Sequence, residues 1–367
     1  MRRTALAGIA RISVHPMGTA GAVGTDGTAG LLAGKIAAAR ALADDVLFPA
    51  ALAVDRADAV PVEHFDRLAA AGLYALAGPA EEGGLGSSDP HAAAPVVEAL
   101  AGGCLATAFV WAQHHGLVRM LAVDAGPEMR ERWLGPACRG EVRGGLALAG
   151  VLPGPPRLRA EPTAGGAVWR IDGMSPWVTG WGRIDLLRVA ARTADGRVAN
   201  LAVDAVDQPG LTVTRQRLVA VDASATVTLD FDGVTVPADR LASIGPHDEA
   251  GYGITNLRLQ GSLALGVAGR CCALLGPSGF DAELAASRQA LDEAEADAMP
   301  VARAGASELA LRAAAALVVS VGARSILLGD HAQRLAREAL FTLVFGSREG
   351  IRRSLLDRLG VTTASPR

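Results

Sequence analysis

The residues most able to do chemistry in this chain surround a glycine. The run Arg337-Glu338-Ala339-Leu340-Phe341-Thr342-Leu343-Val344-Phe345-Gly346-Ser347-Arg348-Glu349-Gly350-Ile351-Arg352-Arg353 holds two carboxylates among several arginines. A carboxylate that removes a proton from a substrate must sit within hydrogen-bond reach of it. Glu349 lies three residues beyond Gly346, about one helical turn, and is the candidate base. The competing reading is a solvated glutamate on a helix face. Glu338 reads as structural. Other constellations carry less. His114 and His115 are adjacent, so they point to different sides of a helix and cannot form an i, i+4 metal pair; they read as satisfied helix histidines. His331 begins a helix, where capping or packing suffices. Cys104, Cys138, Cys271 and Cys272 follow no zinc or redox spacing and read as buried thiols in a reducing compartment. The glycines from Gly18 to Gly30 follow no strand, so a dinucleotide-binding reading fails. No metal site and no Ser/His/Asp triad is expected.

The elements that position these residues fall into three blocks. From Leu31 to Gly135 the pattern is helical, over roughly 31–54, 61–74, 89–101, 104–123 and 127–134, with breaks at Asp89-Pro90, Gly102-Gly103 and Gly126-Pro127. From about Gly140 the periodicity becomes two. Strands are predicted at 168–171, 186–190, 200–203, 226–231 and 234–236, with Asp172-Gly173 and Asp232-Gly233 as turn signals. From Asp248 helices return, near 254–275, 281–296, 300–328, 330–344 and 348–359. The organisation predicted is a flexible N-terminus (1–30), a helical domain (31–139), a β-domain (140–245) and a C-terminal helical bundle (246–367).

At 367 residues, half of them apolar, the chain can bury a large core. A net charge of -3 leaves no electrostatic footprint for nucleic acid. No run of about 20 uncharged apolar residues is present, so no membrane span is expected and a cytoplasmic location is. Met1-Arg2-Arg3 and the apolar stretch after it faintly resemble a signal peptide, cut short by Arg11. The apolar helix around Ala313–Val321 has more greasy surface than one amphipathic face needs, which predicts an oligomer.

Several motifs, in order, give the chain its family resemblance. Phe65-Asp66-Arg67-Leu68 through Gly72-Leu73, followed by Pro79 and Glu81-Glu82-Gly83-Gly84-Leu85-Gly86, is similar to the N-terminal hallmark of acyl-CoA dehydrogenases. Pro176-Trp177-Val178-Thr179 resembles that family's Trp-Ile-Thr-Asn flavin motif. Asp230 to Ala238 resembles the strand closing its β-domain, and Arg258 with Gly266 the start of its third domain. The 337–353 run resembles its C-terminal signature, with the glutamate column on Gly346.

The resemblance implies an α+β fold: a helical N-terminal domain, a middle antiparallel barrel or sandwich, and a C-terminal four-helix bundle. It implies FAD, with Trp177 against the ring, Thr179 near its reactive nitrogen, and backbone N–H groups at Leu148 and Ala149 on its edge. It implies Arg258 and Gly346 at the substrate, an acyl-CoA or acyl-carrier thioester, an electron-transfer flavoprotein as candidate acceptor, and a homo- or hetero-oligomer. The chain also departs from the pattern. Leu146 to Gly154 lacks the usual hydroxyl and acid side chains. Gly276-Pro277-Ser278-Gly279-Phe280-Asp281 lacks the arginine of the diphosphate clamp, and the loop between Arg324 and His331 is short. Neither Gly346 nor the alternative base positions Asn256 and Leu257 is a carboxylate. Three functions follow as expectations: thioester oxidation with weakly held FAD, an inactive subunit of a heteromer, or a flavin monooxygenase that needs no α-proton base.

Overall fold

A computed structural model of the chain describes residues 25–86, 91–151, 157–246 and 254–361. The signal-like start, the Asp89-Pro90 break, Leu152-Pro153-Gly154 and Asp248 lie outside them. Helix α1 (Thr25–Leu42) continues through a π-turn (Ala43–Leu47) into α2 (Phe48–Val54). The stretch 25–30, expected to be part of a flexible start, is therefore helical. The buried residues Ala39 and Ala43 dock this helix on α4 (Ala94–Gly103), and the docked part extends back through the small residues before it. Helices α3 (Val62–Ala70), α5 (Leu105–Arg119) and α6 (Pro127–Arg139) complete the N-terminal block. Helix α5 is its axis, with Leu105, Phe109, Trp111 and Leu117 buried.

Eight strands form one sheet: β1 (Gly144–Ala147), β2 (Leu158–Pro162), β3 (Val168–Val178), β4 (Leu186–Arg192), β5 (Val198–Asp204), β6 (Leu211–Arg215), β7 (Val227–Pro237) and β8 (Leu241–Gly245). The order is β6-β7-β3-β2-β4-β5-β8, with β1 on β4. Most pairings are antiparallel, but β1 and β2 each pair with β4 in parallel, so the sheet is mixed. The two Asp-Gly signals are not hairpin turns. Both lie inside long strands, opposite one another where β3 and β7 pair. Ile171 pairs Val234 and Gly173 pairs Phe231, which sets Asp232 and Gly233 against Asp172 alone. Gly233 takes φ +68° and donates its N–H to Asp172 Oδ1 at 2.8 Å. The turn-forming residues serve a β-bulge.

The C-terminal block is a bundle of α7 (Ile254–Leu275), α8 (Gly279–Glu293), α9 (Met299–Val321) and α10 (His331–Val344), closed by α11 (Glu349–Arg358). Helix α9 is central, packed on each of the others. With the 3-10 turn after it, Met299–Ile326 is long and apolar enough to cross a membrane by length and composition. Arg303, Glu308 and Arg312 interrupt it, and Ala310, Ala313 and Leu317 are buried in the bundle. The fold is α+β: helices, a central sheet, then helices. The two helical blocks meet where α4 crosses α7. A Cβ on Gly266 would stand 2.7 Å from Ala101 Cβ and 2.9 Å from Gly102 N, so only glycine permits this approach.

Candidate functional site

Helix α10 ends at Val344, and the chain turns at Gly346 before α11. Gly346 has φ +60°, a left-handed conformation that costs an L-residue about 1–2 kcal/mol. A side chain there would also have to displace a neighbour. A Cβ there would lie 2.7 Å from Gln260 Cδ and 2.8 Å from its Nε2. Gln260, on α7, is 5% exposed, and its Oε1 has no hydrogen-bond partner. The carboxamide of one helix thus fills the volume that a residue-346 side chain would use.

A cation holds this turn. Arg303 on α9 is buried, and its Nη2 donates to Thr342 O at 2.9 Å and Phe345 O at 3.2 Å, while Nη1 bonds Ser307 Oγ. These carbonyls belong to the C-terminus of α10, where the helix dipole favours positive charge. No carboxylate pairs with Arg303 among the described residues, and burial lowers its pKa to about 10. Three aromatic rings adjoin the turn. Phe341 and Phe345 stack at 5.3 Å, and Phe109 of α5 meets both edge-on at 5.0 and 4.7 Å.

Glu349 does not reach back. It is the first residue of α11, its side chain is 66% exposed, and it pairs with Arg353 at 3.1 Å. The solvated reading of Glu349 is the one the geometry favours. Arg258 is buried and fully engaged inside the bundle, with Nε on Asp292 at 2.7 Å and Nη1 on Ser262 Oγ at 2.7 Å. Glu338 is structural: it pairs with the buried Arg334 at 2.6 Å, and burial raises its pKa. Asn256 is exposed and Leu257 buried, so neither alternative position brings a carboxylate.

The second half of the site stands at the end of β3. Trp177 has φ +63° and is 62% exposed, at a register shift between Ser175 and Val178. Two other non-glycine residues with positive φ, Val221 and Ala225, sit in the segment that packs beside it. Trp181 N–H donates to Ala225 O, and Gly180 N–H to Ser224 O. Backbone strain therefore gathers at one place, each such residue costing of order 1–3 kcal/mol. Thr179 is buried; its hydroxyl meets Thr226 Oγ1 at 3.3 Å, which meets Ser224 Oγ at 2.8 Å. Leu148 and Ala149 follow β1 and lie against β3, where a Cβ on Gly150 would come 3.0 Å from Met174 O. The turn after Leu148 and Ala149 thus packs on β3 near Met174, and Trp177 and Thr179 stand at that strand's C-terminal end. An open indole beside buried hydroxyls suits a flat aromatic ring with a polar rim.

The same test goes against a diphosphate arm held by this chain alone. At the start of α8 the Asp281 carboxylate accepts the Ser278 N–H at 2.8 Å, placing a negative charge over the helix N-terminus. Arg270 is committed to Gly102 O at 2.7 Å and to Asp44, and Arg288 to Glu98.

Residues 36–141 match the family description "Acyl-CoA dehydrogenase, N-terminal domain". The chain is 29% identical to benzylmalonyl-CoA dehydrogenase of Aromatoleum aromaticum over 61% of its length and 62% of that protein. The N-terminal block of the chain carries an acyl-CoA dehydrogenase N-terminal domain. The chain is also 33% identical to L-evernosamine nitrososynthase of a Micromonospora species, over 52% of its length and 47% of that protein. Both matches span less than two thirds of the relative. Butyryl-CoA dehydrogenase from Megasphaera elsdenii shares the fold at TM-score 0.76 and 18% identity, over 90% of this chain and 97% of that one.

Gln260 was missed from the sequence; its only signal was a polar amide two residues beyond Arg258 on a leucine-rich helix. The histidine reading needs amending too. His114 Nδ1 accepts the Gly144 N–H at 2.9 Å, and the backbone at Tyr74 and Ala137 lies within its reach, whereas both nitrogens of His115 are buried without partners. Both histidines belong to a ring cluster with Tyr74 and Trp111, where edge-on packing replaces hydrogen bonding for His115. His331 stacks on Phe48 at 4.1 Å, as a packing residue. All four cysteines are free and buried.

Proposed function

We propose that this chain is a flavin-dependent oxygenase of the acyl-CoA dehydrogenase family, one whose chemistry needs no carboxylate base from its own residues. The observation that carries this reading is Gly346: left-handed, without a carboxylate, and covered by the neutral amide of Gln260. When bound, flavin supplies hydride acceptance or, once reduced, oxygen activation. Hydride removal from an acyl thioester needs a base at the α-carbon; oxygenation does not. In this reading Trp177 packs on the flavin ring, while Thr179 and the backbone at Leu148 and Ala149 address its polar edge. Phe109, Phe341 and Phe345 keep water from the Gly346 turn. The nitrososynthase relative agrees with this reading, since its name denotes a reaction other than thioester dehydrogenation.

Thioester oxidation, with an acyl-CoA or carrier-bound substrate and an electron-transfer flavoprotein as acceptor, is the alternative. The carboxylate of Asp281 at the α8 N-terminus favours a form of it in which a sister chain supplies both base and diphosphate clamp. The exposed Val319, Ile326, Leu327, Leu340 and Val344 give an oligomer apolar surface to cover. One experiment tests whether this chain carries a working base of its own. Incubated with butyryl-CoA in deuterated buffer, the purified protein is expected to wash no deuterium into the α-carbon; wash-in identifies a working base and overturns the oxygenase.

A further inference from the structure

Gln260 is more than a filler for the space at Gly346. A buried amide oxygen without a donor is costly, and a leucine of nearly the same volume would fill the space without that cost. The cost is recovered when a donor arrives from outside the fold. We infer that Gln260 Oε1 is a substrate-binding acceptor, taking a hydrogen bond from a neutral O–H or N–H of the bound molecule; the inference rests on the oxygenase reading above.

Two neighbours narrow the class. The Arg303 guanidinium, buried and without a carboxylate, donates to the carbonyl of Phe345, the residue before Gly346. A fixed positive charge at that distance disfavours an ammonium donor, because like charges in a low-dielectric interior repel strongly. Phe341 and Phe345, half-buried, offer aromatic faces beside the same turn. The substrate is therefore a compound with a flat apolar body carrying an uncharged hydroxyl or amide N–H. Gln260 binds and positions it and transfers no proton itself.

The test compares the full-length protein with its Gln260→Leu variant, each loaded with flavin. By thermal unfolding, the variant is expected to melt at or above the wild type. A melting point several degrees lower would mean that Oε1 is satisfied within the fold, and would overturn the proposal. By ligand-observed NMR titration, the wild type is expected to bind benzyl alcohol about tenfold more tightly than its isostere ethylbenzene. The variant loses this preference. Equal affinity for the two probes, or no binding of either by the wild type, overturns the assignment. Deuterium wash-in from butyryl-CoA would instead sink the oxygenase reading while the preference between the two probes still reports on Gln260.

Discussion

At the scale of single residues, a glycine and a glutamine decide what this site can do. Restoring the family's glutamate by Gly346→Glu meets two obstacles at once, the left-handed backbone and the Gln260 carboxamide. We expect that variant to lose about 1–2 kcal/mol from the conformational cost, measured by urea denaturation, and to gain no activity on butyryl-CoA. A substitution of normal stability would show that the turn is softer than its geometry. Gln260→Glu puts a carboxylate in the same space from the other helix. Burial would raise its pKa, while the Arg303 charge beside the same turn would lower it. Stability lost as pH rises through the carboxylate range reports that burial dominates, and stability lost as pH falls reports that Arg303 does. The sequence made the loss at 346 legible, because the motif aligns without a gap. It could not show what replaced it. Gln260 and Gly346 lie far apart along the chain, and only the packing of α7 against the end of α10 brings them together.

At the scale of elements, the helices were legible because their periodic apolar faces and Gly/Pro stops are local signals. The sheet was less so. Strands β1, β2, β6 and β8 are short, and their pairing depends on neighbours the sequence does not place nearby. The Asp-Gly pairs misled for a physical reason, since a left-handed glycine serves a bulge as well as a hairpin turn. Two predictions belong here. Gly266→Val forces α4 and α7 apart at their closest approach and should cost at least about 1–3 kcal/mol, read as a lower denaturation midpoint. On α5, burial holds His115 at about 3, and on α10 burial holds His331 at about 4, both below the ordinary value of 6.5. Below pH 6.5 the unfolded chain binds protons that these folded imidazoles refuse, so their contribution to stability falls as pH drops from 6.5 toward 4. His115→Phe removes one such group. Its midpoint should fall less steeply over that window than the wild type's, by up to about 1.4 kcal/mol per pH unit; parallel profiles would count against a neutral buried His115.

At the scale of the whole molecule, the helix–sheet–helix architecture matches that of butyryl-CoA dehydrogenase, while the residues at two points of the candidate site depart from the family motifs. The strained end of β3, with Trp177, Val221 and Ala225 all at positive φ, marks where the fold spends stability on a site. The Gly346 turn offers no carboxylate where the resemblance would place one. The central claim is that these coexist: a flavin platform without a base. Its most direct measurement is the absorbance spectrum of the protein loaded with flavin and then mixed anaerobically with butyryl-CoA. The flavin bands near ~450 nm are expected not to bleach when the thioester is added. Bleaching by butyryl-CoA would contradict that claim.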